Sequence, residues 1–319
     1  MPEHVTFRWL VKALTPPIIV IGAKGLLRRL GLMRPALPEP GLAVDELPVE
    51  PPEFEALAEG WDGVAGGWDA GTVADAYLAK WPDWLAALEG AKPLGVYHEA
   101  RVGEPLSSAD LAAHNMLLSF AYVAARAARK RERVSVLDWG GGLGHYAVLA
   151  RAVLPDTRFD WHCREVPSVA AAGASANPEV TFHTDDTCLE RRYDLVLASS
   201  SLQYAQDWSA LLVGLARATS GLLLVTRLPI ALEASSFVVL QRAAAYGYGT
   251  DYAGWVLSRA EFPAEAARAG LVLDRELLLD AWMSPARAPE SPIGHRGFLF
   301  RPQVGQEPAA PGTGGSPSQ

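Results

Sequence analysis

Cysteine is almost absent, with Cys163 and Cys188 the only two in 319 residues. That excludes a disulfide framework, and no C-x-x-C or H-x-x-x-H spacing among them and the seven histidines suggests a zinc site, so no metal is expected. A reducing cytoplasm is the expected compartment. Basic charge is also short. The 28 Lys and Arg face 36 Asp and Glu, a net charge of −8, which is the wrong sign for gripping nucleic-acid phosphates, and no nucleic-acid partner is expected. A long hydrophobic run is missing too. The stretch from Ala13 to Ala23 lies between Lys12 and Lys24 and contains Pro16-Pro17, short of the ~20 residues a spanning helix needs and without a secretory cleavage site.

What is present suffices for a full core: 50% of residues are apolar and 20% charged, and at about 150 residues per domain the chain holds one large or two modest domains. Residues 1–34 carry Arg8, Lys12, Lys24, Arg28, Arg29 and Arg34 against Glu3 alone, interleaved with Trp9, Leu10, Ile18, Ile19 and Leu26. This basic amphipathic segment reads either as a helix packed on its own domain or as a peripheral contact with the inner membrane surface. Residues 35–55 form a Pro-rich acidic linker, which places a domain boundary near residue 55. Residues 56–106 read as a small aromatic-rich cap. Trp61, Trp68, Tyr77, Trp81 and Trp84 are spaced too irregularly for one helix, and their rings either fill a core or cover a ligand.

The main domain is expected over 107–301, with a disordered tail over 302–319, where four Pro and four Gly leave nothing to bury. It opens on a capping box, Ser107-x-x-Asp110, before an Ala- and Leu-rich helix from Leu111 to Ala128. Apolar runs then alternate with helical segments. Val134–Asp138, Phe159–Glu165, Val180–His183, Asp194–Ser199 and Leu222–Thr226 read as strands, and Val272–Leu279 and Gly297–Phe300 as later edge strands. Such alternation predicts a mostly parallel sheet flanked by helices.

The chemistry is concentrated at the first of these strands, where Val134 to Asp138 ends in an acid and is followed by Trp139-Gly140-Gly141-Gly142-Leu143-Gly144 and a helix from Tyr146 to Val153. Glycines are expected there so that the turn can run close beneath a bound nucleoside. A dinucleotide loop G-x-G-x-x-G would need glycine at 145, which is His145, and a carboxylate before the loop repels a diphosphate. A cationic sulfonium ligand suits that carboxylate instead. Three further elements follow in order. Glu165 ends the second strand, where an acid can accept from both ribose hydroxyls. Asp186, or its neighbour Asp185, follows the third strand and is placed either to accept from an adenine amino group or to cap a helix. Ser199 ends the fourth strand, whose first residue, Asp194, reads as structural.

The motif D-x-G-x-G-x-G with these followers resembles the class I methyltransferases that use S-adenosylmethionine (SAM). Finer similarity is to a bacterial family of methyltransferases associated with cell-surface polysaccharide synthesis. It rests on Leu14-Thr15-Pro16-Pro17, Val136 to Gly141, Ser199 to Tyr204, and Asp251 to Ser258 followed by Phe262. The chain departs from that family at Thr226, where an acid is common, and at Tyr97-His98-Glu99. The resemblance implies a Rossmann-like class I methyltransferase fold with a seven-stranded sheet and a helical or irregular N-terminal extension. It also implies SAM as cofactor, bound through Asp138, Gly140, Gly142, Gly144, Glu165, Asp185, Asp186 and Ser199.

Methyl transfer asks mainly for alignment and exclusion of water, plus a base if the acceptor is a hydroxyl. His145 is the first candidate base, with a surface histidine as the alternative, and His98 the second. Tyr204 and Gln203 stand where they can face an acceptor. Arg227 either grips a carboxylate, phosphate or sugar acid or serves a structural bond. Tyr246 to Tyr252, with Trp255, reads as a lid, a sugar-stacking surface or an ordinary loop. The expected function is methylation, most simply at oxygen, of a small-molecule or glycan-linked acceptor. A non-catalytic SAM-binding subunit and a nucleotide-sugar oxidoreductase are the alternatives.

Overall fold

The computed structural model describes residues 51–62, 64, 66–91, 101–102 and 111–303. The basic segment 1–34, the linker up to residue 50, the His98 loop, the Ser107–Asp110 cap and the tail from 304 lie outside these residues. Pro51 begins one compact unit.

The strands are β1 (Phe54–Ala56), β2 (Arg133–Trp139), β3 (Arg158–Arg164), β4 (Thr181–His183), β5 (Tyr193–Ser199), β6 (Thr219–Ala231), β7 (Phe237–Arg242), β8 (Asp251–Ser258), β9 (Leu271–Met283) and β10 (Ile293–Pro302). The helices are α1 (Gly71–Glu89), α2 (Leu111–Ala128), α3 (His145–Val153), α4 (Pro167–Ala176), α5 (Trp208–Ala218) and α6 (Glu261–Arg268). All seven expected strands are present in the order β4-β3-β2-β5-β6-β10-β9, parallel up to β6 and antiparallel from β10. This is the Rossmann-like class I methyltransferase arrangement. Three strands were not expected: β8 pairs with the far end of β6, and β7 and β1 extend the sheet beyond it.

Alternation along the central strands sends side chains to both faces. Val136, Leu195 and Leu197 join the core beneath α1 to α4, while Leu137, Val196, Ala198, Leu223 and Val225 join the one beneath α5 and α6. Asp194 is structural, as expected. Its carboxylate accepts from the Ser135 N–H and hydroxyl, each at 2.9 Å, and from Arg131 at 2.6 Å, tying β5 to β2.

The five aromatic residues do not share one helix, as expected, but Tyr77, Trp81 and Trp84 lie together on α1 and are buried. Their spacing is i, i+4, i+7, one helical face. Trp61 and Trp68 belong to the irregular chain before it and had obscured that period. Pro82 lies inside this helix. The three rings share the core of α2 and α3, so among the described residues they form no core of their own.

Register fixes where a ligand can bind. Trp139 lies opposite Arg164 on one side and Ala198 on the other, and Ser199 opposite Thr226, so the carboxyl ends of β2, β3, β5 and β6 share one edge. Strand order reverses between β2 and β5, the point at which open α/β sheets bind ligands.

Candidate functional site

A cavity of about 820 Å³ opens along that edge. Its first wall is the turn after β2. Gly140, Gly142 and Gly144 have φ of 69°, 61° and 82°, a region that favours glycine. The fold itself supplies a reason for these glycines. A Cβ on Gly140 would stand 2.5 Å from Cβ of Ser201, and one on Gly144 2.8 Å from Nδ2 of Asn177, so it is the protein's own packing that crowds the turn.

Asp138 lies beneath this turn, under Gly141, fully buried with both carboxylate oxygens unpartnered. Burial, and then the charge of Glu165, push its carboxyl up to about 8, with the Trp161 indole opposing. Glu165 braces the loop from the end of β3. Oε1 accepts from the Gly142 N–H at 2.8 Å and Oε2 from the Val166 N–H at 2.9 Å. Burial raises its carboxyl to about 7 against those two donors, and it lines the cavity. Beside it the Arg164 guanidinium lies 4.6 Å from the Trp139 ring centroid.

Asp185 and Asp186 are not brought to this wall. Asp185 caps a short 3₁₀ turn, accepting from the Thr187 N–H at 3.1 Å and from its hydroxyl, which hold its carboxyl below the usual range. Asp186 is largely exposed and pairs with Arg164 at 3.0 Å. The capping alternative is therefore the one realised for Asp185. Ser199 lines the cavity, with its hydroxyl 2.9 Å from that of Tyr146.

His145 opens α3 as expected but is neither on the surface nor suited to be a base. It is buried, with Trp81, Trp84 and Tyr77 packed around it at ring-centroid distances of 5.0, 5.6 and 6.1 Å. Burial drives its pKa down to about 3, so the imidazole is neutral and too weakly basic to take a proton near pH 7.

The opposite wall is aromatic. Trp68 stacks on Tyr252 at 4.3 Å and meets Tyr204 at 4.9 Å and Tyr248 at 5.8 Å. The Tyr204 hydroxyl donates to Oε1 of Gln241 at 3.0 Å, and burial lifts its phenol to about 12, so it is no base either. Tyr246 donates to Glu53 at 2.7 Å, and Tyr248 to Tyr77. Tyr246, Tyr248 and Tyr252 all line the cavity, Tyr252 from within β8. Arg227 lies among these rings. Burial lowers its guanidinium to about 10, and the phenols of Tyr77, Tyr248, Tyr246 and Tyr252 oppose that fall. His295 also lines the cavity, its pKa lowered to about 4 by burial and then by Arg227.

Sequence reasoning had not selected His295, Gln241 or Glu53 for the site, and Tyr77 stood only among rings that either fill a core or cover a ligand. Helical spacing within α1 was an available signal for Tyr77; the other three are brought in by strand pairing across the sheet. Among the described residues no helix is long and apolar enough to cross a membrane.

No protein-family model matches the chain, and no curated protein matches it. Among solved structures it is similar in fold to a protein of Galdieria sulphuraria assigned as a sarcosine dimethylglycine methyltransferase, at 14% identity over 72% of this chain and 98% of that one, TM-score 0.47. It is likewise similar to the CcbJ methyltransferase of Streptomyces caelestis, at 17% identity over 73% and 98% of the two chains, TM-score 0.42. A third is the magnesium protoporphyrin IX methyltransferase ChlM of Synechocystis, solved with SAH bound, at 14% identity over 72% and 98%, TM-score 0.43. Identities this low carry neither a substrate nor a reaction across.

Proposed function

We propose that the chain is a SAM-dependent methyltransferase acting at oxygen on a small-molecule or saccharide acceptor. The observation that carries this reading is the buried, unpartnered Asp138 carboxylate beneath a glycine turn that lines a large cavity. An orphaned carboxylate costs free energy in the free protein, and a cationic ligand above the turn supplies the charge that favours its ionised form. The loop from Gly140 to Gly144, Glu165 and Ser199 would hold the cofactor. SAM supplies, when bound, an electrophilic methyl carbon on a sulfonium leaving group.

The chain's own part is alignment and exclusion of water. The wall formed by Trp68, Tyr204, Tyr248 and Tyr252 gives flat apolar faces on which the C–H face of a sugar or a planar ring can stack. Gln203, in the turn after β5, and Arg227, within β6 just past its pairing with β5, both line the cavity. His145 is set aside as the base. That same observation favours the second reading, a subunit that binds SAM without turnover.

Calorimetric titration of the full chain with SAM and S-adenosylhomocysteine (SAH), with NADH as the competing ligand, tests the cofactor. Micromolar binding, weakened by Gly142→Val, is the expected result. Binding of NADH instead would overturn it. Transfer of labelled methyl from SAM to a metabolite extract separates catalysis from binding alone.

A further inference from the structure

We infer that the acceptor pairs an anionic group, carboxylate or phosphate, held by Arg227 with a hydroxyl that donates to Oε1 of Gln203. This deepens the methyltransferase reading and rests on it.

The first observation is how Arg227 is aimed. Across the β6–β10 ladder Val225 lies opposite Phe298 and Leu228 opposite Arg296, so Thr226 and Arg227 together face the single residue Gly297. That is a β-bulge, a device that redirects a side chain. Arg227 adopts φ of 54°, and on the neighbouring strand end Ser200 has φ of 52°, with its N–H donating to the Thr226 carbonyl at 2.9 Å. Left-handed backbone at two adjacent non-glycine residues costs free energy and is typical of functional sites. Its result is a guanidinium within the cavity wall, surrounded by phenols. A planar, permanently charged fork among hydroxyl donors matches the oxygens of a carboxylate or phosphate.

The second observation is independent of charge. Gln203 is 4% exposed and lines the cavity. Its Nε2 donates to the Ser200 hydroxyl at 3.1 Å and to the Arg227 carbonyl at 3.4 Å. A carbonyl only accepts, so this bond fixes which way the amide points. Its Oε1 is left buried without a partner. A buried acceptor without a donor costs about 1–3 kcal/mol, which a ligand hydroxyl would recover. The bond to the Arg227 carbonyl also makes the two residues neighbours, so one small ligand can meet both. With SAM bound, which would supply the methyl group and leave as SAH, Gln203 and Arg227 would hold the acceptor's hydroxyl and its anionic group in place for the transfer, and the hydroxyl proton would be released to solvent.

The test uses the full chain saturated with SAH and titrated calorimetrically with 3-hydroxybenzoate, benzoate, glycerol 3-phosphate, and the uncharged 3-hydroxybenzyl alcohol and glycerol. At least one anion should bind more than about tenfold tighter than its uncharged counterpart, and the carboxylate and phosphate arms tell which anion fits. Arg227→Met should abolish that preference, and Arg227→Lys should restore part of it, with SAH affinity intact in both as the check on folding. Gln203→Leu should weaken 3-hydroxybenzoate or glycerol 3-phosphate severalfold and leave benzoate unchanged. Equal binding of charged and uncharged probes, no binding of any anion, or indifference to Arg227→Met would overturn the inference. Failure of SAH itself to bind would instead overturn the cofactor reading beneath it.

Discussion

Replacing Asp138 by Asn should stabilise the cofactor-free protein and weaken its hold on SAM. The carboxyl is carried from its ordinary 3.8 to about 8 by burial and by Glu165, which corresponds to roughly 6 kcal/mol of preference for the neutral form. A carboxyl whose folded pKa is raised contributes stability that is fully present below 3.8 and is lost as pH rises toward 8, because the folded state retains a proton the unfolded chain has released. Asn has no proton to lose and avoids that loss. By linkage the ceiling on the loss is about 2 kcal/mol at pH 5 and about 4 kcal/mol at pH 7, and water entering beneath the loop lowers both. The variant should therefore exceed the wild type by a margin that widens by ~2 kcal/mol between pH 5 and pH 7. Urea unfolding of the full chain without cofactor at the two pH values measures it. The same variant should bind SAM at least several-fold more weakly at pH 8, where the wild-type carboxylate can ionise beside the cation. A margin that does not change with pH, or a variant less stable than wild type at pH 7, would refute the reasoning.

The other expectations follow from neighbouring geometry. Gly140→Ala forces a left-handed residue and a Cβ 2.5 Å from that of Ser201, so a loss of about 1–3 kcal/mol together with loss of SAH binding is expected from melting and calorimetry. Unchanged values for both would mean that the turn is not held as described. The imidazole of His145 should stay neutral and show no NMR titration between pH 5 and pH 8, because burial among Trp81, Trp84 and Tyr77 holds its pKa near 3. A midpoint near 6.5 would contradict that burial. Asp194→Ala leaves the Ser135 donors and Arg131 without their acceptor, so stability should fall by about 1–3 kcal/mol with SAH affinity unchanged, since this tie lies at the opposite edge of the sheet from the glycine turn.

Local signals carried the strand ends, and the limits of that information are physical. The acid and glycines after β2 were legible because a buried parallel strand is a short apolar run and the turn's left-handed residues must be glycine. Which acids face the ligand was not legible from position alone. Asp185 and Glu165 both follow strands, yet one carboxylate is committed to its own turn through Thr187 and the other to the glycine loop through Gly142. Strand β8 was missed for a related reason. Gly247, Gly249 and Gly254 make its neighbourhood read as loop, whereas the third of these is a strand residue set against the Tyr204 ring, 3.2 Å from where its Cβ would stand. The aromatic wall draws on the irregular chain before α1, the turn after β5, and β8 with the loop before it, so no single window of sequence contains it. Arg227 illustrates the same division. Its place just after an apolar strand run is local, but its direction depends on Gly297, seventy residues later, which faces it across the bulge. On the proposed function, the elements that would hold the cofactor are largely contiguous in sequence, while those that would meet the acceptor are assembled by pairing between distant strands. Substitutions at Gly297 or Gly254 should accordingly alter acceptor affinity while leaving SAH affinity near wild type.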